Sequence, residues 1–142
     1  MSNDRFTILI VEDNRAMSQV LRFNLERAGF AVRVAFHGED AIEQLEEHEF
    51  DLMITDYQMP IMDGAQLCHY VREVLGRTSM PIVLCSAKGM ESDAANLVVE
   101  CDLRYLFFKP VSPQSIVTFV LQLKDGLQPA HDRRPESNPE SI

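Results

Sequence analysis

Five short apolar runs alternate along the chain with longer segments in which apolar residues recur at helical spacing. The runs TILIV, AVRVAF, DLMIT, PIVLCSA and YLFF lie at residues 7–11, 31–36, 51–55, 81–87 and 105–108. Their lengths and compositions predict strands, and the periodic segments between them predict helices. The predicted order of elements is therefore βαβαβαβαβα.

Glycines mark the limits of the first three predicted helices. The first stripe of apolar residues ends at Gly29, the second follows Gly38, and the third ends at Gly76. Glycine just after the last periodic residue is typical of a helix C-terminus. The stripes are Met17, Val20, Leu21, Leu25 and Ala28; then Ala41, Ile42 and Leu45; then Leu67, Val71, Val74 and Leu75.

The last two predicted helices differ in strength. The pattern around residues 90–100 is weak, whereas Ser112 and Pro113 form a helix cap followed by proline at the first helical position. The apolar residues of this fifth helix cover an arc of about 200°, more than one sheet face can bury. They are Ile116, Val117, Phe119, Val120, Leu121 and Leu123. We expect an exposed apolar strip on the strand 5 and helix 5 side, with packing of the C-terminal tail against it as the alternative.

Strands 1, 3 and 4 are almost continuously apolar, as expected of a parallel sheet covered by helices on both faces. Strand 2 alternates more and is expected near an edge. Because crossovers are right-handed, the predicted fold is α/β, a flavodoxin-like doubly wound five-stranded parallel sheet of order 2-1-3-4-5 with five helices. Residues 1–125 are expected to form this domain. Residues 126–142 are rich in proline and polar side chains, which predicts a disordered tail.

Composition excludes several classes of protein. A chain of 142 residues with 46% hydrophobic residues can bury a sizeable core as one domain. A net charge of -9 argues against binding to nucleic acid or to an anionic membrane. No apolar run reaches the roughly 18 residues of a membrane span, and no secretory signal begins the chain, so a cytoplasmic location is expected.

Two further features have ordinary explanations. Much of the acidic charge lies in residues 38–51, where a solvated helix face is favoured over a binding surface for a basic partner. The three cysteines, Cys68, Cys85 and Cys101, are far apart and form no CxxC pair. They predict buried reduced thiols rather than a disulfide framework or a zinc site.

Polar residues follow the predicted strands at the edge where ligands bind in such sheets. Strand 1 ends in Glu12 and Asp13, strand 3 in Asp56, strand 4 in Ser86 and strand 5 in Lys109. The carboxyl ends of parallel strands meet at one edge. Three carboxylates gathered there would repel one another unless a cation neutralised them, and Mg²⁺ is the ion that best suits carboxylate and phosphate oxygens.

The set predicts phosphoryl chemistry. Lys109 could counter the charge of a phosphoryl group, Ser86 could hydrogen-bond one of its oxygens, and Asp56 is left as the nucleophile that forms an acyl phosphate. Taken singly, an aspartate at a strand end is usually a turn or cap residue, a serine a loop residue, and a lysine before proline an exposed one. Their joint placement at one edge favours a phosphoacceptor site.

Four motifs in this order resemble the receiver domains of two-component response regulators. They are ILIVEDN, DLMITDYQMPIMDG, IVLCSA and FFKP, and the resemblance extends from residue 6 to about residue 125. It points to the single-domain, CheY-like type. It implies that Asp56 is phosphorylated and that Mg²⁺ is held by Glu12, Asp13, Asp56 and the backbone carbonyl of Gln58.

The resemblance also assigns the remaining site residues. Ser86 would be the hydroxyl switch residue, Lys109 the phosphate-contacting lysine, and the Lys109–Pro110 peptide bond would be cis. Receivers commonly carry Tyr or Phe three residues before this lysine. Here that position is Leu106, with Tyr105 one place earlier. Either strand 5 is shifted by one residue and Tyr105 acts as the switch, or Leu106 occupies the switch site.

The expected function is a signalling switch that accepts a phosphoryl group from a sensor histidine kinase or a histidine phosphotransfer domain. Output would pass through a downstream protein target, with a possible homodimer through strand 5 and helix 5, and without nucleic acid or membrane insertion. The chain would not be an enzyme beyond Mg²⁺-dependent self-phosphorylation and dephosphorylation at Asp56. A phosphorylation-independent pseudo-receiver is one alternative. A phosphatase of the haloacid dehalogenase type is another, although Gln58 stands where that type needs a general acid.

Overall fold

Five strands and five helices alternate through residues 5–126, the part of the chain that the structure, a computed structural model, describes. The helix α3 continues directly into a π-helical segment at Tyr70–Val74. The predicted tail, apart from Gly126, lies outside the described residues. The elements are β1 Thr7–Val11, α1 Arg15–Arg27, β2 Ala31–Ala35, α2 Gly38–Glu47, β3 Leu52–Asp56, α3 Gly64–His69, β4 Ile82–Ser86, α4 Glu91–Cys101, β5 Tyr105–Phe108 and α5 Pro113–Lys124.

The strands form one parallel sheet in the order β2-β1-β3-β4-β5. This confirms the predicted doubly wound fold, and it confirms that β2 lies at an edge. The strand order reverses between β1 and β3, so the carboxyl ends of these two strands border the crevice in which such sheets bind ligands. The register pairs Asp56 with Cys85, which aligns the ends of β3 and β4.

Alternate residues of the strands supply two cores, one on each face of the sheet. The α1–α5 core packs beneath α1 and α5, and the α2–α4 core packs beneath α2, α3 and α4. Strand residues of the α1–α5 core include Ile8, Ile10, Leu52, Ile54, Val83, Tyr105 and Phe107. Strand residues of the α2–α4 core include Leu9, Val11, Met53, Ile82, Leu84 and Leu106. Burial on both faces explains why the central strands are almost continuously apolar.

Side-chain caps begin the helices that border the ligand edge. Asn14 accepts a hydrogen bond from the Met17 backbone N–H at 2.9 Å and starts α1 immediately after the acidic pair that follows β1. Asp63 and Gln66 form a reciprocal capping box at the start of α3. Ser112 caps α5 as predicted from the sequence. These caps hold the loops that carry the polar strand ends.

The expected exposed strip on α5 is wrong. Five of its six apolar residues are buried, and only Leu121, at 41% exposed, reaches solvent substantially. The physical reason is that α5 packs against both the sheet and the neighbouring helix α1, so two surfaces bury its wide apolar arc. The buried five are Ile116, Val117, Phe119, Val120 and Leu123.

Val74 belongs to the third predicted apolar stripe, yet it is 63% exposed. It ends the π-helical segment, which has a wider turn than an α-helix and rotates the following side chains away from the α3 stripe. Within the same segment Val71 remains fully buried. The periodicity that predicted a continuous stripe therefore holds only up to the change in helix type.

Three further features of the sequence can be located in the described residues. Cys68, Cys85 and Cys101 are buried, and none of them is in a disulfide bond. The outward face of α2 carries exposed glutamates, as a solvated helix face does. Of the helices in residues 5–126, none combines the length and hydropathy that a membrane-spanning helix needs.

Candidate functional site

Three carboxylates meet at the carboxyl edge of the sheet. Glu12 and Asp13 follow β1 directly, and Asp56 is the last residue of β3. One carboxylate oxygen from each lies within 4.8 Å of the others. Asp56 is only 6% exposed, whereas Asp13 is exposed and Glu12 is intermediate. We refer to these three residues as the acidic cluster.

Lys109 completes the cluster from the end of β5. Its Nζ donates a hydrogen bond to Asp56 Oδ1 at 2.7 Å and lies 3.8 Å from Glu12 Oε1. The Lys109–Pro110 peptide bond is cis, the isomer that the resemblance implies. Residues far apart in the sequence thus converge because their strands end at one edge.

Burial sets the electrostatics of the site. It raises the pKa of Asp56, against the opposing effect of the hydrogen bond from Lys109. Burial also raises the pKa of Glu12, and the repulsion from Asp56 adds to this effect. Burial lowers the pKa of the Lys109 ammonium, but its hydrogen bond with Asp56 and the charges of Asp56 and Glu12 more than offset this, so its pKa is raised. Burial therefore disfavours the charged forms of Asp56 and Glu12, and the attraction of Lys109 does not fully offset this effect.

This donor set fits Mg²⁺. All three side chains offer oxygen atoms, which hard divalent cations prefer, and their mutual repulsion would be relieved by a bound cation. When bound, such an ion supplies charge neutralisation for carboxylate and phosphate oxygens. Gln58 lies two residues after Asp56 in the β3–α3 loop, residues 57–63, and the role of its carbonyl as a further ligand stays a prediction.

Ser86 ends β4 and is fully buried. Its backbone carbonyl accepts a hydrogen bond from the Lys109 N–H at 2.8 Å, and its hydroxyl donates to the Ala87 carbonyl at 3.3 Å. The register places Ser86 one residue beyond Cys85, the partner of Asp56. The backbone of Ser86 is thus hydrogen-bonded to that of Lys109, whose ammonium contacts the acidic cluster.

The two candidate switch residues lie on opposite faces of β5. Tyr105 is fully buried in the α1–α5 core, where its ring centroid lies 4.9 Å from that of Phe107 and 5.0 Å from that of Phe119. Leu106 is fully buried in the α2–α4 core and pairs with Leu84, two residues before Ser86. Side chains two residues apart on a strand share a face, so Leu106 lies on the same face as Ser86 and Tyr105 does not.

Gly64 fixes the loop that follows Asp56. A side chain at this position would collide with the backbone carbonyl of Asp56. The Gly64 N–H donates to the Tyr57 carbonyl at 2.7 Å, which closes the β3–α3 loop at its base. Glycine is therefore required for α3 to begin this close to the phosphoacceptor candidate.

Sequence reasoning missed an apolar groove beside the acidic cluster. Met17 and Val20 belong to the first predicted apolar stripe, yet they are 47% and 46% exposed. They line a cavity of about 440 Å³ between α1 and the start of α5, which reaches Asp56 and Lys109 at one end. We call this cavity the α1–α5 groove. Apolar residues at helical spacing look the same in sequence whether they face a core or an open groove.

Comparison with known proteins identifies the family. Residues 8–121 match the model of the response regulator receiver domain. The chain belongs to the response regulator receiver domain family. The predicted resemblance is thereby confirmed, and the matched residues cover the sheet except Thr7, together with most of α5.

Solved receiver structures share the fold. A protein described as a response regulator, from Chloroflexus aurantiacus, is 31% identical, with a TM-score of 0.73 over 84% of this chain and 97% of that chain. The receiver domain of a signal transduction histidine kinase from Syntrophus aciditrophicus is 29% identical, with a TM-score of 0.74 over 86% of this chain and 92% of that chain. A CheY-like receiver domain protein from Methanospirillum hungatei, 21% identical, has a TM-score of 0.79 over 91% of this chain and 100% of that chain, a likeness of fold.

Membership places the chain in two-component signal transduction. Receiver domains are signalling switches rather than conventional enzymes, and they generally bind Mg²⁺. They interact with histidine kinases or phosphotransfer proteins and with downstream targets.

Proposed function

We propose that this receiver domain accepts a phosphoryl group on Asp56 from a phosphohistidine of a sensor histidine kinase or a histidine phosphotransfer domain. Mg²⁺ would be held by Glu12, Asp13, Asp56 and the backbone carbonyl of Gln58. The switch would act in the cytoplasm and pass its output to another protein by direct contact.

The chemistry is a transfer between two nucleophiles. A carboxylate oxygen of Asp56 forms a bond to phosphorus while the bond from phosphorus to the donor imidazole nitrogen breaks, and the imidazole leaves with the electron pair and takes a proton. Lys109 is already at hydrogen-bond distance from Asp56, and its ammonium would bind the negatively charged phosphoryl oxygens. Ser86 would donate its hydroxyl hydrogen to one of these oxygens.

One observation carries this proposal. A buried aspartate at the carboxyl end of a central strand is held by a lysine at 2.7 Å within a group of three carboxylates. Burial raises the pKa of Asp56, so the folded protein holds a carboxyl group where its charged form is disfavoured. Such an arrangement is expected where a charged group serves chemistry rather than stability.

The α1–α5 groove supports a protein donor. It is lined mainly by apolar side chains and opens next to Asp56, so an apolar surface that carries a phosphohistidine could seat there. Met17 and Val20, the half-exposed residues of α1, form its outer wall. Exposed apolar residues grouped around a reactive residue are typical of an interaction site.

The response to phosphorylation would pass through the end of β4. Ser86 is joined to Lys109 by a backbone hydrogen bond and shares a sheet face with Leu106. A shift of Ser86 toward a phosphoryl group would therefore change the packing around Leu106 beneath α4. We propose that phosphorylation biases a pre-existing equilibrium of this region, with Leu106 rather than Tyr105 at the responding position.

Intact mass spectrometry with acetyl phosphate and Mg²⁺ tests the phosphoacceptor. We expect the parent protein to gain one phosphoryl group and Asp56→Asn to gain none. A matched variant, Asp125→Asn, removes an exposed carboxylate at the far end of α5 and should be labelled like the parent. A chelator should abolish labelling of the parent.

Labelling of Asp56→Asn at the parent level would contradict the assignment of Asp56. A parent that is never labelled would instead favour a phosphorylation-independent binding module. In that case the three carboxylates would serve only to hold a cation or a partner.

A further inference from the structure

A strained turn projects one apolar residue from the rim of the phosphoacceptor site. In the β3–α3 loop the Met62 N–H donates to the Pro60 carbonyl at 2.7 Å, and the residue between them, Ile61, has a φ of 73°. A hydrogen bond across two residues with a positive φ at the centre defines the rarer, strained form of γ-turn. A β-branched residue in this conformation is an outlier.

The neighbours of Ile61 are anchored while Ile61 is not. Met59 is 8% exposed and belongs to the α2–α4 core. Met62 packs against the same core and lies over Gly38, where a side chain would collide with it. The base of the loop is closed by the hydrogen bond from Gly64 to Tyr57. Ile61 itself is 93% exposed, the highest exposure among the large hydrophobic residues of the described chain.

Folding does not account for isoleucine at this position. A residue that is almost fully exposed contributes little burial, and glycine or asparagine would adopt the positive φ with less strain. Strain that persists at a functional site is commonly retained for contact or mechanism. The side chain is therefore available for a contact outside this chain.

The location of the turn indicates which partner makes that contact. Asp56 is 6% exposed, so a donor must bring its phosphohistidine into close contact with the edge of the sheet. The α1–α5 groove flanks Asp56 on one face of the sheet. The β3–α3 loop leads from Asp56 to the other face, because Met59 and Met62 pack on the α2–α4 core. A protein seated over Asp56 meets an apolar feature on both sides.

We propose that Ile61 is a specificity contact for the phosphodonor protein and that it packs against apolar side chains around the donor histidine. This inference rests on the proposed phosphoacceptor function of Asp56. It assigns to Ile61 the recognition of a protein donor and no part in the chemistry, so a small donor such as acetyl phosphate does not depend on it.

The test compares Ile61→Asn and Ile61→Leu with the parent. Asparagine accepts a positive φ but removes the apolar contact, whereas leucine keeps an apolar side chain without β-branching. The matched control is Val74→Asn, which replaces another exposed β-branched residue, 63% exposed at the end of the π-helical segment. The protein donors are the sensor kinases and phosphotransfer domains encoded in the same genome, each purified and phosphorylated on histidine, and the fastest donor to the parent is used.

We expect Ile61→Asn to slow transfer from that donor about tenfold, the effect of losing an interface residue of central importance. Ile61→Leu and Val74→Asn should transfer within about threefold of the parent. Labelling by acetyl phosphate should be equal in all four proteins, and the Tm of Ile61→Asn should equal or exceed that of the parent.

The outcomes separate this inference from the proposed function. Equal donor transfer to Ile61→Asn and the parent overturns the contact. Loss of acetyl phosphate labelling in Ile61→Asn also overturns it, since the loop would then shape the acceptor site itself. A parent labelled by acetyl phosphate but by no protein donor overturns the contact and leaves Asp56 as a phosphoacceptor. A parent that acetyl phosphate does not label fails at the proposed function instead.

Discussion

At the level of single residues, burial of the Glu12 and Asp56 carboxylates opposes the stability of the folded protein. The pKa of Glu12 is raised by burial first and by the charge of Asp56 second. An acid whose pKa is raised on folding binds protons more readily in the native state than in the unfolded chain. Its contribution to stability is therefore lost as the pH rises from the ordinary carboxyl range through the raised pKa.

Glu12→Gln should therefore stabilise the protein in the absence of Mg²⁺. At pH 7 we expect a gain of about 1 kcal/mol in the free energy of unfolding, equivalent to roughly 3–4 °C in Tm. The gain should shrink as the pH falls toward and below 4.5, the ordinary pKa of a glutamate, because the Glu12 carboxyl of the parent then becomes protonated in the unfolded chain as well as in the folded one. Thermal unfolding followed by circular dichroism at several pH values measures the difference.

Glu46→Gln is the matched control, since Glu46 lies on the exposed face of α2. It should leave Tm unchanged at each pH. A lower Tm for Glu12→Gln at pH 7 would show that the contact of Glu12 with Lys109 outweighs its burial and its repulsion from Asp56.

At the level of elements, Arg72 joins the end of the α3 segment to its surroundings. Its guanidinium donates to four backbone carbonyls at 2.6–3.0 Å, two on the loop before β4 and two at the end of α4. Arg72 lies within the π-helical segment, so the residue that makes these hydrogen bonds is part of the wider helical turn. This contact lies at the edge of the sheet opposite the acidic cluster. The carbonyl groups that accept these hydrogen bonds belong to Cys101, Asp102, Arg77 and Met80.

Arg72→Met should destabilise the protein by about 2–4 kcal/mol, because half-buried carbonyls lose charge-assisted hydrogen bonds while the length of the side chain is kept. Chemical denaturation measures the loss. Arg22→Met is the control, since Arg22 makes an exposed pair with Glu26 on α1 and should cost no more than about 0.5 kcal/mol. A similar loss in both variants would contradict the role of Arg72 as a link between elements.

At the level of the whole molecule, the site couples cation binding to global stability. The three carboxylates lie at the carboxyl ends of β1 and β3, the two strands on either side of the point where the strand order reverses. They are brought together only in the folded chain. A cation that binds them therefore binds the native state and not the unfolded one, and it stabilises the fold by mass action.

Addition of MgCl₂ should raise Tm, with a gain of about 2.7 kcal/mol at a concentration one hundred times the dissociation constant. Asp13→Asn should lose most of this gain, because Asp13 is an exposed member of the acidic cluster. Thermal scans in MgCl₂ and in NaCl of equal ionic strength measure the effect. An equal rise of Tm in both salts would indicate screening of the net charge of -9 rather than binding at a site.

The sequence by itself determined the order of elements, the parallel sheet and the grouping of Glu12, Asp13 and Asp56 with Lys109. Apolar runs of strand length, glycines after helical stripes and the Ser112–Pro113 cap are local signals, and each reports on the conformation of its own segment. The acidic cluster was predictable for the same reason, because parallel strands carry their carboxyl ends to one edge whatever the details of packing.

Only the tertiary structure decided which apolar residues are covered. Hydrophobic periodicity shows that a helix has an apolar face, but whether other elements cover that face depends on neighbours that are distant in sequence. The helix α5 is buried by α1 as well as by the sheet, whereas Met17 and Val20 of α1 border an open groove. Val74 is exposed at the end of the π-helical segment. Ile61 is exposed between Met59 and Met62, which both pack on the α2–α4 core. The strained turn at Ile61 has no local signature in the sequence, because isoleucine is not a residue type that favours a positive φ.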